Sequence, residues 1–490
     1  MSQDIHDAVI IGAGFSGLGQ GASFRRAGID NFVILESQNR LGGVWRDNVY
    51  PGAACDTQSV IYCFSYFLHL DVSRMYADHA ELLGYLEALA KEFDLNRHIR
   101  FSHEVVSASW QRDHWLVECS NGAQFRGRAL IPGWGQLGVP MTPAIDGLES
   151  FTGETFHSAR WRHDIDLTGK KVASIGAAAS AIQYVPEIAP NVDHLAVFQR
   201  SANYILPRNQ KVFTEAELAE FAAKPEIYQQ LRQSIHDERE AGFERTRLDT
   251  NAAADGVAQA RDHLHAQIQD PVLREQLTPD YEFGCKRILR SDDYYPTFNR
   301  DNVSLKTSSI ARITPNGIET VDGVEHEFDV IIFGTGFASQ AFQGDINIVG
   351  RDNVSLEDRW GNSPEAFLGI TVDQFPNMFL IYGPNTNLNH HSIVAMIEAQ
   401  NEYIVEAVQH LSNAAQPVME VDESVLKDFN DKVQSDLEQS AYASDCSSWY
   451  KNSEGRVINN WSGTVQEYHD LTAQLNLNHY RIPVTAGAEA

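Results

Sequence analysis

Two glycine-rich turns, each between an apolar strand and a helix, constrain this chain more than any other feature. The first lies in DAVIIGAGFSG, where Gly12, Gly14 and Gly17 have the G-x-G-x-x-G spacing, and the second lies in KKVASIGAAASA, where it begins at Gly176. Such a turn lets the backbone approach a pyrophosphate at the N-terminus of the following helix. The pattern therefore predicts an α/β chain with two Rossmann-like dinucleotide-binding domains.

The residues that end the second strand of each βαβ unit carry opposite charges. Glu36 follows Gly12 by 24 residues, and Arg200 follows Gly176 by the same 24 residues. A carboxylate at this position accepts hydrogen bonds from free ribose hydroxyls, whereas an arginine accommodates a 2′-phosphate. The first unit is therefore predicted to hold FAD or NAD and the second NADP, as a flavoenzyme reduced by NADPH requires.

Composition narrows the range of partners. The 490 residues include 66 acidic and 38 basic side chains, and the formal net charge of −28 would repel nucleic acid and anionic membrane surfaces. No apolar run approaches the roughly 18 residues of a membrane span. The first strand begins almost at the initiator methionine, which leaves no room for a signal peptide. We therefore expect a cytoplasmic protein that acts on small molecules, with no nucleic acid and no stable membrane association.

The cysteine and histidine patterns suggest neither a disulfide framework nor a metal site. The five cysteines are Cys55, Cys63, Cys119, Cys285 and Cys446. They lack C-x-x-C or metal-ligand spacing, which favours a reducing compartment. Cys55 has no second cysteine nearby, which argues against a pyridine-nucleotide disulfide reductase. His390 and His391 are adjacent and lack a third ligand nearby in sequence, so we expect no metal.

Changes in residue pattern along the chain predict its organisation. Alternation at helical spacing over residues 78–93 predicts a helix, and alternation at strand spacing over residues 101–127 predicts a β-meander with a turn at Asn121-Gly122. The polar stretch after Pro207 has helical periodicity and a capping-box signature. We therefore predict an FAD-binding domain at 1–145 and 341–490, an NADP-binding domain at 146–207 and 287–340, and a helical insertion at 208–286.

Three further segments are predicted to surround the cofactors. LGGVWRDNVYPGAACD is dense in turn-forming residues, which predicts an irregular loop, and the apolar run in DVIIFGTGF predicts a buried parallel strand. From Asn377 we expect a strand, a turn and a helix of about five turns that places Ile393, Ile397, Ile404 and Val408 on one face. The helix N-terminus near Ser392 is suited to stabilise negative charge on a reduced flavin.

Five ordered motifs resemble those of one enzyme family. Phe151, Gly153, His157 and Trp161 lie in FTGETFHSARW, which resembles the F-x-G-x-x-x-H-x-x-x-W fingerprint of type I Baeyer-Villiger monooxygenases. GGVWRDNVYPGAACD, GCKRILRSDDYYPTFNRDNV, DVIIFGTGF and IYGPNTNLNHHS resemble further family segments in the expected order, so that the resemblance spans residues 5–410. It implies an FAD- and NADPH-dependent enzyme that inserts one oxygen atom of O2 beside a ketone carbonyl, through a C4a-peroxyflavin, to give an ester or lactone.

The resemblance also implies roles for particular residues. Arg287 resembles the arginine that stabilises the peroxide and the later oxyanion, and Asp56 resembles the aspartate that orients it. Arg200 and Lys286 resemble the pair that contacts the NADP 2′-phosphate, and His157 resembles a linker histidine that couples domain movement without transferring protons. The positions implied in cofactor binding are Gly12, Gly14, Gly17, Glu36, Gly43, Val44, Trp45, Asp56, Tyr62, Ile393, Gly176, Ala178, Ser180, Ala181, Arg200, Ser201, Lys286 and Arg287.

Three positions depart from the family pattern. Arg162 follows the fingerprint where Pro or Asp is expected, which blurs the distinction from the flavin-containing N- and S-oxygenating monooxygenases. Ala178 replaces the second glycine of the NADP turn, which leaves open an NADPH oxidase or flavin reductase. Gly334 replaces an alanine, an exchange expected to be harmless. The retained Arg287 and Asp56 favour the ketone reaction, because oxygenation of nitrogen or sulfur needs no oxyanion stabiliser.

Overall fold

The computed structural model describes residues 5–481 except Ala341, Gln343 and Ala415. Its strands are β1 (His6–Ile11), β2 (Phe32–Leu35), β3 (Ile99–Arg100), β4 (Val105–Trp110), β5 (Trp115–Cys119), β6 (Gln124–Pro132), β7 (Glu154–His157), β8 (Lys171–Ile175), β9 (His194–Phe198), β10 (Ile205–Leu206), β11 (Leu289–Arg290), β12 (Val303–Lys306), β13 (Ile310–Thr314), β14 (Gly317–Thr320), β15 (Glu325–Glu327), β16 (Val330–Phe333), β17 (Asn347–Val349), β18 (Glu420–Val421) and β19 (Tyr480–Arg481). Its helices are α1 (Phe15–Arg26), α2 (Val44–Asp47), α3 (His79–Glu92), α4 (Ala181–Ile188), α5 (Glu215–Ala223), α6 (Pro225–Ala241), α7 (Asn251–Gln267), α8 (Pro271–Gln276), α9 (Tyr294–Thr297), α10 (Leu356–Trp360), α11 (Ile393–Asn413), α12 (Glu423–Leu437) and α13 (Val465–Thr472).

Two sheets carry the two glycine turns. The first has the order β17-β4-β5-β6-β1-β2-β3 and is parallel around β1, while β4, β5 and β6 form the predicted antiparallel meander. The second has the order β12-β9-β8-β16-β7 and is parallel throughout. The first turn connects β1 to α1 and the second connects β8 to α4. The predicted α/β class with two Rossmann-like units is confirmed, because each turn lies at the carboxyl edge of a parallel strand pair.

Small residues of α1 let the first sheet and α11 pack closely around this helix. Added to Gly19, a Cβ would lie 2.6 Å from the Nδ2 of Asn401 in α11, so only glycine fits there. The predicted apolar face of α11 joins the same core as β1 and α1, through Ile397, Ile404 and Val408. Close packing of this kind fixes the direction in which the N-terminus of α1 points.

The residues between β10 and β11 are largely helical, with α5 to α8 following one another. Thr214 and Glu217 form the predicted capping box at the start of α5, since each side chain bonds to the backbone N–H of the other residue. Within the residues that the structure describes, no helix is long and apolar enough to cross a membrane.

Two predicted elements differ from the structure. The loop predicted as irregular contains the helical turn α2, which is held in place because Arg46 pairs with both Glu36 and Asp47. The strand predicted after Asn377 is an extended segment with a single bridge to β6, between Met378 and Leu130. Left-handed backbone at Asn377 (φ +55°) and Tyr382 (φ +62°) bounds this segment and prevents a longer ladder.

A disulfide joins Cys285 to Cys446, so the expectation that the cysteines form no disulfide is wrong. The two residues are 161 positions apart, and the fold brings their Cα atoms to 6.4 Å. The spacing of cysteines along the sequence cannot reveal this pair. The pairing depends on how the C-terminal segment packs against the residues before β11. Disulfides persist mainly in oxidising compartments, and the cysteine pattern therefore no longer supports a reducing one.

Glu240 connects the helical insertion to the C-terminal helix α13. Its carboxylate accepts hydrogen bonds from the backbone N–H groups of Val465 and Gln466, each at 3.1 Å. Burial would raise the pKa of Glu240, but hydrogen bonds from His390 and from these two amides lower it to about 2. A carboxylate at a helix N-terminus is stabilising.

We expect Glu240→Gln to lower the free energy of unfolding at pH 7 by about 1 to 2 kcal/mol. The folded-state pKa lies below the ordinary value of 4.5, so this stabilisation is present above pH 4.5 and is lost as the pH falls toward 2. Urea unfolding at pH 7 and pH 3 measures the change, with the neighbouring Glu238→Gln as the control. An equal deficit of the Glu240 variant at both pH values would contradict this assignment.

Candidate active site

The first glycine turn forms an anion-binding cradle at the N-terminus of α1. Gly12 has φ +96°, and a Cβ added there would lie 2.9 Å from the carbonyl oxygen of Gly133. A Cβ on Gly17 would overlap the carbonyl oxygen of Gly12, whereas one on Gly14 would have only Gly43 near it. No side chain caps the N-terminus of α1. In α3, α5, α7 and α11 to α13, by contrast, the side chain of the N-cap residue accepts a hydrogen bond from a backbone N–H of the first turn. The free N–H groups of α1 therefore suit a pyrophosphate.

Glu36 lies at the end of β2 beside this cradle and is 4% exposed. One carboxylate oxygen accepts a hydrogen bond from the N–H of Ala13 at 2.9 Å, and the other pairs with Arg46 at 3.0 Å. The carboxylate thus orders the glycine turn and retains acceptor capacity for a ribose hydroxyl. Arg46 was not predicted as a site residue, although it follows the predicted Trp45 directly.

Trp45 and Tyr62 stand edge to face with ring centroids 5.7 Å apart. The indole Nε1 of Trp45 has no hydrogen-bond partner among the described residues although it is buried. A buried donor without an acceptor is costly, which indicates a polar ligand atom at this position. Both rings lie at the core that also contains α1 and the partly buried Ile393.

The second glycine turn has the same design in the second sheet. Gly176 has φ +105° and lies against the backbone of Gly334, and the N-terminus of α4 has no side-chain cap. Ala178 is exposed at the turn, whereas Ala181 is fully buried in the core. The methyl of Ala181 is therefore shielded from a coenzyme, whereas Ser180 is half-buried and its hydroxyl does not cap α4.

Gly334 lies where its surroundings leave little room for the alanine of the family pattern. A Cβ at this position would lie 2.7 Å from the hydroxyl oxygen of Tyr184. That hydroxyl is hydrogen-bonded at 2.7 Å to Ser174 in β8 and is held in the core. An alanine here would displace Tyr184 beneath the second glycine turn.

The exposed methyl of Ala178 gives a further prediction. We expect Ala178→Gly to lower the Kd for NADP+ about threefold, less than 1 kcal/mol, because the backbone can then approach the pyrophosphate more closely. Titration of the flavin-loaded protein with NADP+ measures the change, and Ala179→Gly, one residue further along the turn, is the control. Weaker binding by Ala178→Gly would show that the methyl group itself contacts the coenzyme.

Two cations lie together at the carboxyl edge of the second sheet. The Nζ of Lys286 donates to the hydroxyl of Ser201 at 2.8 Å and lies 4.3 Å from the ring centroid of Tyr281. Burial and then the charge of Arg200 lower the pKa of Lys286. Neither cation pairs with a carboxylate within the described part of the chain. Adjacent cations without an anion are a site for a phosphate.

Asp56 and Arg287 form an ion pair between the two turns. The Nη2 of Arg287 contacts the Oδ2 of Asp56, and this carboxylate raises the pKa of Arg287 well above its ordinary value. The side chain of Arg287 remains 38% exposed, so the guanidinium has donors left for a ligand. The neutral phenols of Tyr382 and Tyr450 lie near the same guanidinium.

The fingerprint residues pack against the second sheet, away from the hydrogen bonds of this ion pair. His157 ends β7, is 6% exposed, and accepts a hydrogen bond from the N–H of Ala159 at 3.0 Å. Trp161 packs edge to face on Phe156 with centroids 5.1 Å apart. Phe151 belongs to the partly buried set at the core around β13. Burial lowers the pKa of His157, which keeps the ring neutral and fits a structural role.

His390 and His391 lie just before α11 and approach α6. The Nε2 of His391 is 3.0 Å from the Nδ1 of His236, and His390 is 3.7 Å from Glu240. Over the described ranges, no group of three or more His, Cys, Asp or Glu side chains could hold a metal ion.

Comparisons with known proteins agree with this geometry. Residues 9–310 match the pyridine nucleotide-disulphide oxidoreductase family. The chain is 38% identical to a Baeyer-Villiger monooxygenase of Pseudomonas aeruginosa, over 97% of this chain and 91% of that protein. It is 36% identical to a Baeyer-Villiger monooxygenase of Streptomyces coelicolor, over 100% of this chain and 96% of that one.

A solved structure extends the likeness to the whole fold. It is OTEMO in complex with FAD and NADP, with a TM-score of 0.88 and 28% sequence identity, over 97% of this chain and 99% of that one. The identities and coverage in sequence and structure agree with the family that the motifs predicted. The chain therefore belongs to the flavin-dependent Baeyer-Villiger monooxygenases.

Proposed function

We propose that this chain oxygenates ketones with FAD, NADPH and O2, to give esters or lactones. The observation that carries the proposal is the ion pair of Arg287 and Asp56, which lies between two glycine turns with uncapped helix N-termini. A fixed guanidinium at this point supplies hydrogen bonds to negative charge that develops on a carbonyl oxygen.

FAD fits the first turn. Its pyrophosphate would contact the N-terminus of α1 at Gly12, Gly14 and Gly17, and Glu36 would accept from its ribose. The unpartnered indole N–H of Trp45 supplies a donor on the flavin side. We assign residues 1–145 and 341–490 to this FAD-binding domain.

NADPH fits the second turn. Gly176 and the backbone near Ser180 would hold its pyrophosphate, while Arg200, Lys286 and Ser201 would hold the 2′-phosphate. We assign residues 146–207 and 287–340 to this domain, with the helical insertion between its two parts. The substrate would lie near Arg287, where both domains contribute residues.

Bound FAD, once reduced by NADPH, supplies an activated oxygen atom from O2. Arg287 is protonated at physiological pH, and Asp56 raises its pKa further, so its charge is present when an oxyanion forms at the substrate carbonyl. Asp56 holds the guanidinium in one orientation and accepts its hydrogen bond through Oδ2. Burial raises the pKa of the Tyr382 phenol, which therefore stays neutral beside this charge.

Product analysis under labelled oxygen tests the function. Flavin-loaded protein is incubated with NADPH, 18O2 and separate samples of a cyclic ketone, a linear ketone and a thioether. The proposal expects esters or lactones that contain one labelled oxygen atom. Sulfoxide as the sole product would favour an N- and S-oxygenating monooxygenase. Hydrogen peroxide as the sole product would favour an NADPH oxidase.

A further inference from the structure

The four-residue segment Cys55–Gln58 is contacted by three arginines from separate parts of the chain. Arg208, which follows β10, donates from Nη2 to the carbonyl oxygen of Cys55 at 2.9 Å. Arg287 contacts Asp56, as described above. Arg239, in α6 of the insertion, donates from Nε to the Oε1 of Gln58 at 2.7 Å. We call Arg208, Arg239 and Arg287 the arginine triad.

The triad carries more positive charge than its surroundings neutralise. Asp56 is the one acidic residue of the contacted segment, and it pairs with Arg287. Arg208 stacks over the ring of Tyr76 with its carbon 5.1 Å from the centroid, and its Nε is buried without a hydrogen-bond partner in the described part of the chain. In a chain with a net charge of −28, cations without anions at an active site indicate an anionic ligand.

Arg239 is the least compensated member. Two of its nitrogens, Nε and Nη2, donate to the same amide oxygen of Gln58, which is 8% exposed. Among the described residues it has no salt bridge to a carboxylate. Burial and the charge of Arg290 lower the pKa of Arg239, and the opposing influence of the more distant Glu238 and Asp56 carboxylates is smaller. A glutamate at position 58 would neutralise it, and this chain has an amide there instead.

Coenzyme phosphates have other places to bind. The pyrophosphates fit the N-termini of α1 and α4, and the 2′-phosphate fits Arg200 and Lys286. Arg239 bonds instead to Gln58, two positions from the Asp56 that pairs with Arg287.

We propose that Arg239, assisted by Arg208, binds a carboxylate carried by the ketone, so that the preferred substrates of this enzyme are keto acids. This inference rests on the proposed function. A guanidinium binds a carboxylate through two parallel hydrogen bonds, and its partner in the free enzyme is a neutral amide that leaves the charge available. The distance between the ketone and the carboxylate is then fixed by the separation of Arg239 from Arg287.

The test compares keto acids with their methyl esters. Flavin-loaded enzyme is assayed with 4-oxopentanoate, 5-oxohexanoate and 6-oxoheptanoate and with the methyl ester of each, and oxygenated product is measured. For at least one chain length we expect kcat/KM for the acid to exceed that for the ester by about tenfold or more, mainly through KM. Binding of the same acid, followed by quenching of tryptophan fluorescence, should show the same preference.

Variants locate the effect. Arg239→Gln removes the charge, and Gln58→Glu keeps the arginine but supplies a carboxylate, so each should lower the acid-to-ester ratio about tenfold. Arg232→Gln is the matched control, because Arg232 lies in the same helix and donates to the carbonyl oxygen of Val60 at 2.8 Å. It should retain the ratio of the unmutated enzyme.

Three outcomes would overturn the inference. One is an acid-to-ester ratio near one in the unmutated enzyme, and another is a ratio that both Arg239→Gln and Gln58→Glu leave unchanged. The third is a raised KM for NADPH in these variants with an unchanged ratio, which would assign Arg239 to a coenzyme phosphate. If the methyl esters are oxygenated and the acids are not, this inference is contradicted but the proposed function is not. If neither acids nor esters are oxygenated, the proposed function is contradicted.

Discussion

Arg287→Ala is expected to lower the rate of ester formation about 10²- to 10³-fold while bound flavin is still reduced by NADPH. Removal of one oxyanion-stabilising donor typically costs about 2.7 to 4 kcal/mol of transition-state stabilisation. Arg287 contacts Asp56 and retains 38% exposure, so it keeps free donors for a substrate oxygen. Rapid-mixing absorbance measures flavin reduction without oxygen, and chromatography measures the ester with oxygen present. NADPH consumption should then yield hydrogen peroxide in place of ester.

Two further variants test the geometry of this prediction. Arg287→Lys keeps a positive charge but loses the planar fork, so it should recover only part of the lost rate. Asp56→Asn keeps the size of the side chain but removes the charge that orients the guanidinium. Ester formation at near the unmutated rate in Arg287→Ala would show that another group holds the oxyanion, and Tyr382 and Tyr450 would be the residues to test next.

Local patterns predicted the cofactor-binding framework because its determinants are close in sequence. Each glycine turn lies between a strand and the helix that it starts, and Glu36 and Arg200 closely follow the next strand of their units. Strand alternation and the Asn121-Gly122 turn likewise predicted the meander of β4, β5 and β6. The family resemblance supplied the pairing of Asp56 with Arg287, which spacing alone could not, because 231 residues separate them.

Contacts between distant segments escaped prediction. The Cys285–Cys446 disulfide and the bond from Arg239 to Gln58 join residues 161 and 181 positions apart. Arg46 was missed for a different reason. It lies in a segment whose composition indicated a loop, and only the fold shows that Glu36 holds it. The contact between Arg239 and Gln58 depends on how α6 packs against the rest of the chain, which no local sequence pattern specifies.

At Gly334 the chain departs from the family motif, and the position of Tyr184 explains why. The family motif has an alanine where this chain has Gly334. The space that the alanine methyl would need is filled by the hydroxyl of Tyr184, which is hydrogen-bonded to Ser174. Ala178 is different, because its methyl group is exposed at the turn and no described neighbour compensates for the loss of the glycine. The second turn therefore combines one exchange, at Gly334, that a neighbouring residue compensates with another, at Ala178, that is left uncompensated.

Arg200→Ala is expected to raise the KM for NADPH about 10- to 150-fold and to leave the KM for NADH nearly unchanged, so that the coenzyme preference collapses. A charge-assisted hydrogen bond to a phosphate contributes about 1.5 to 3 kcal/mol. Arg200 lies close enough to Lys286 to lower the pKa of its ammonium group, which means that the two cations repel until a phosphate neutralises them. Steady-state assays with each coenzyme at a fixed ketone concentration measure the ratio.

The control removes a cation from the opposite edge of the same sheet. Lys171, the first residue of β8, is exposed and pairs with Glu327 at 3.3 Å, so Lys171→Ala should leave the preference intact. Higher salt should weaken NADPH binding by the unmutated enzyme more than by Arg200→Ala, because screening acts on the charge contact that the variant lacks. Equal use of NADH and NADPH by the unmutated enzyme would contradict the assignment. Arg200 and Lys286 would then be a cation pair whose repulsion no phosphate relieves.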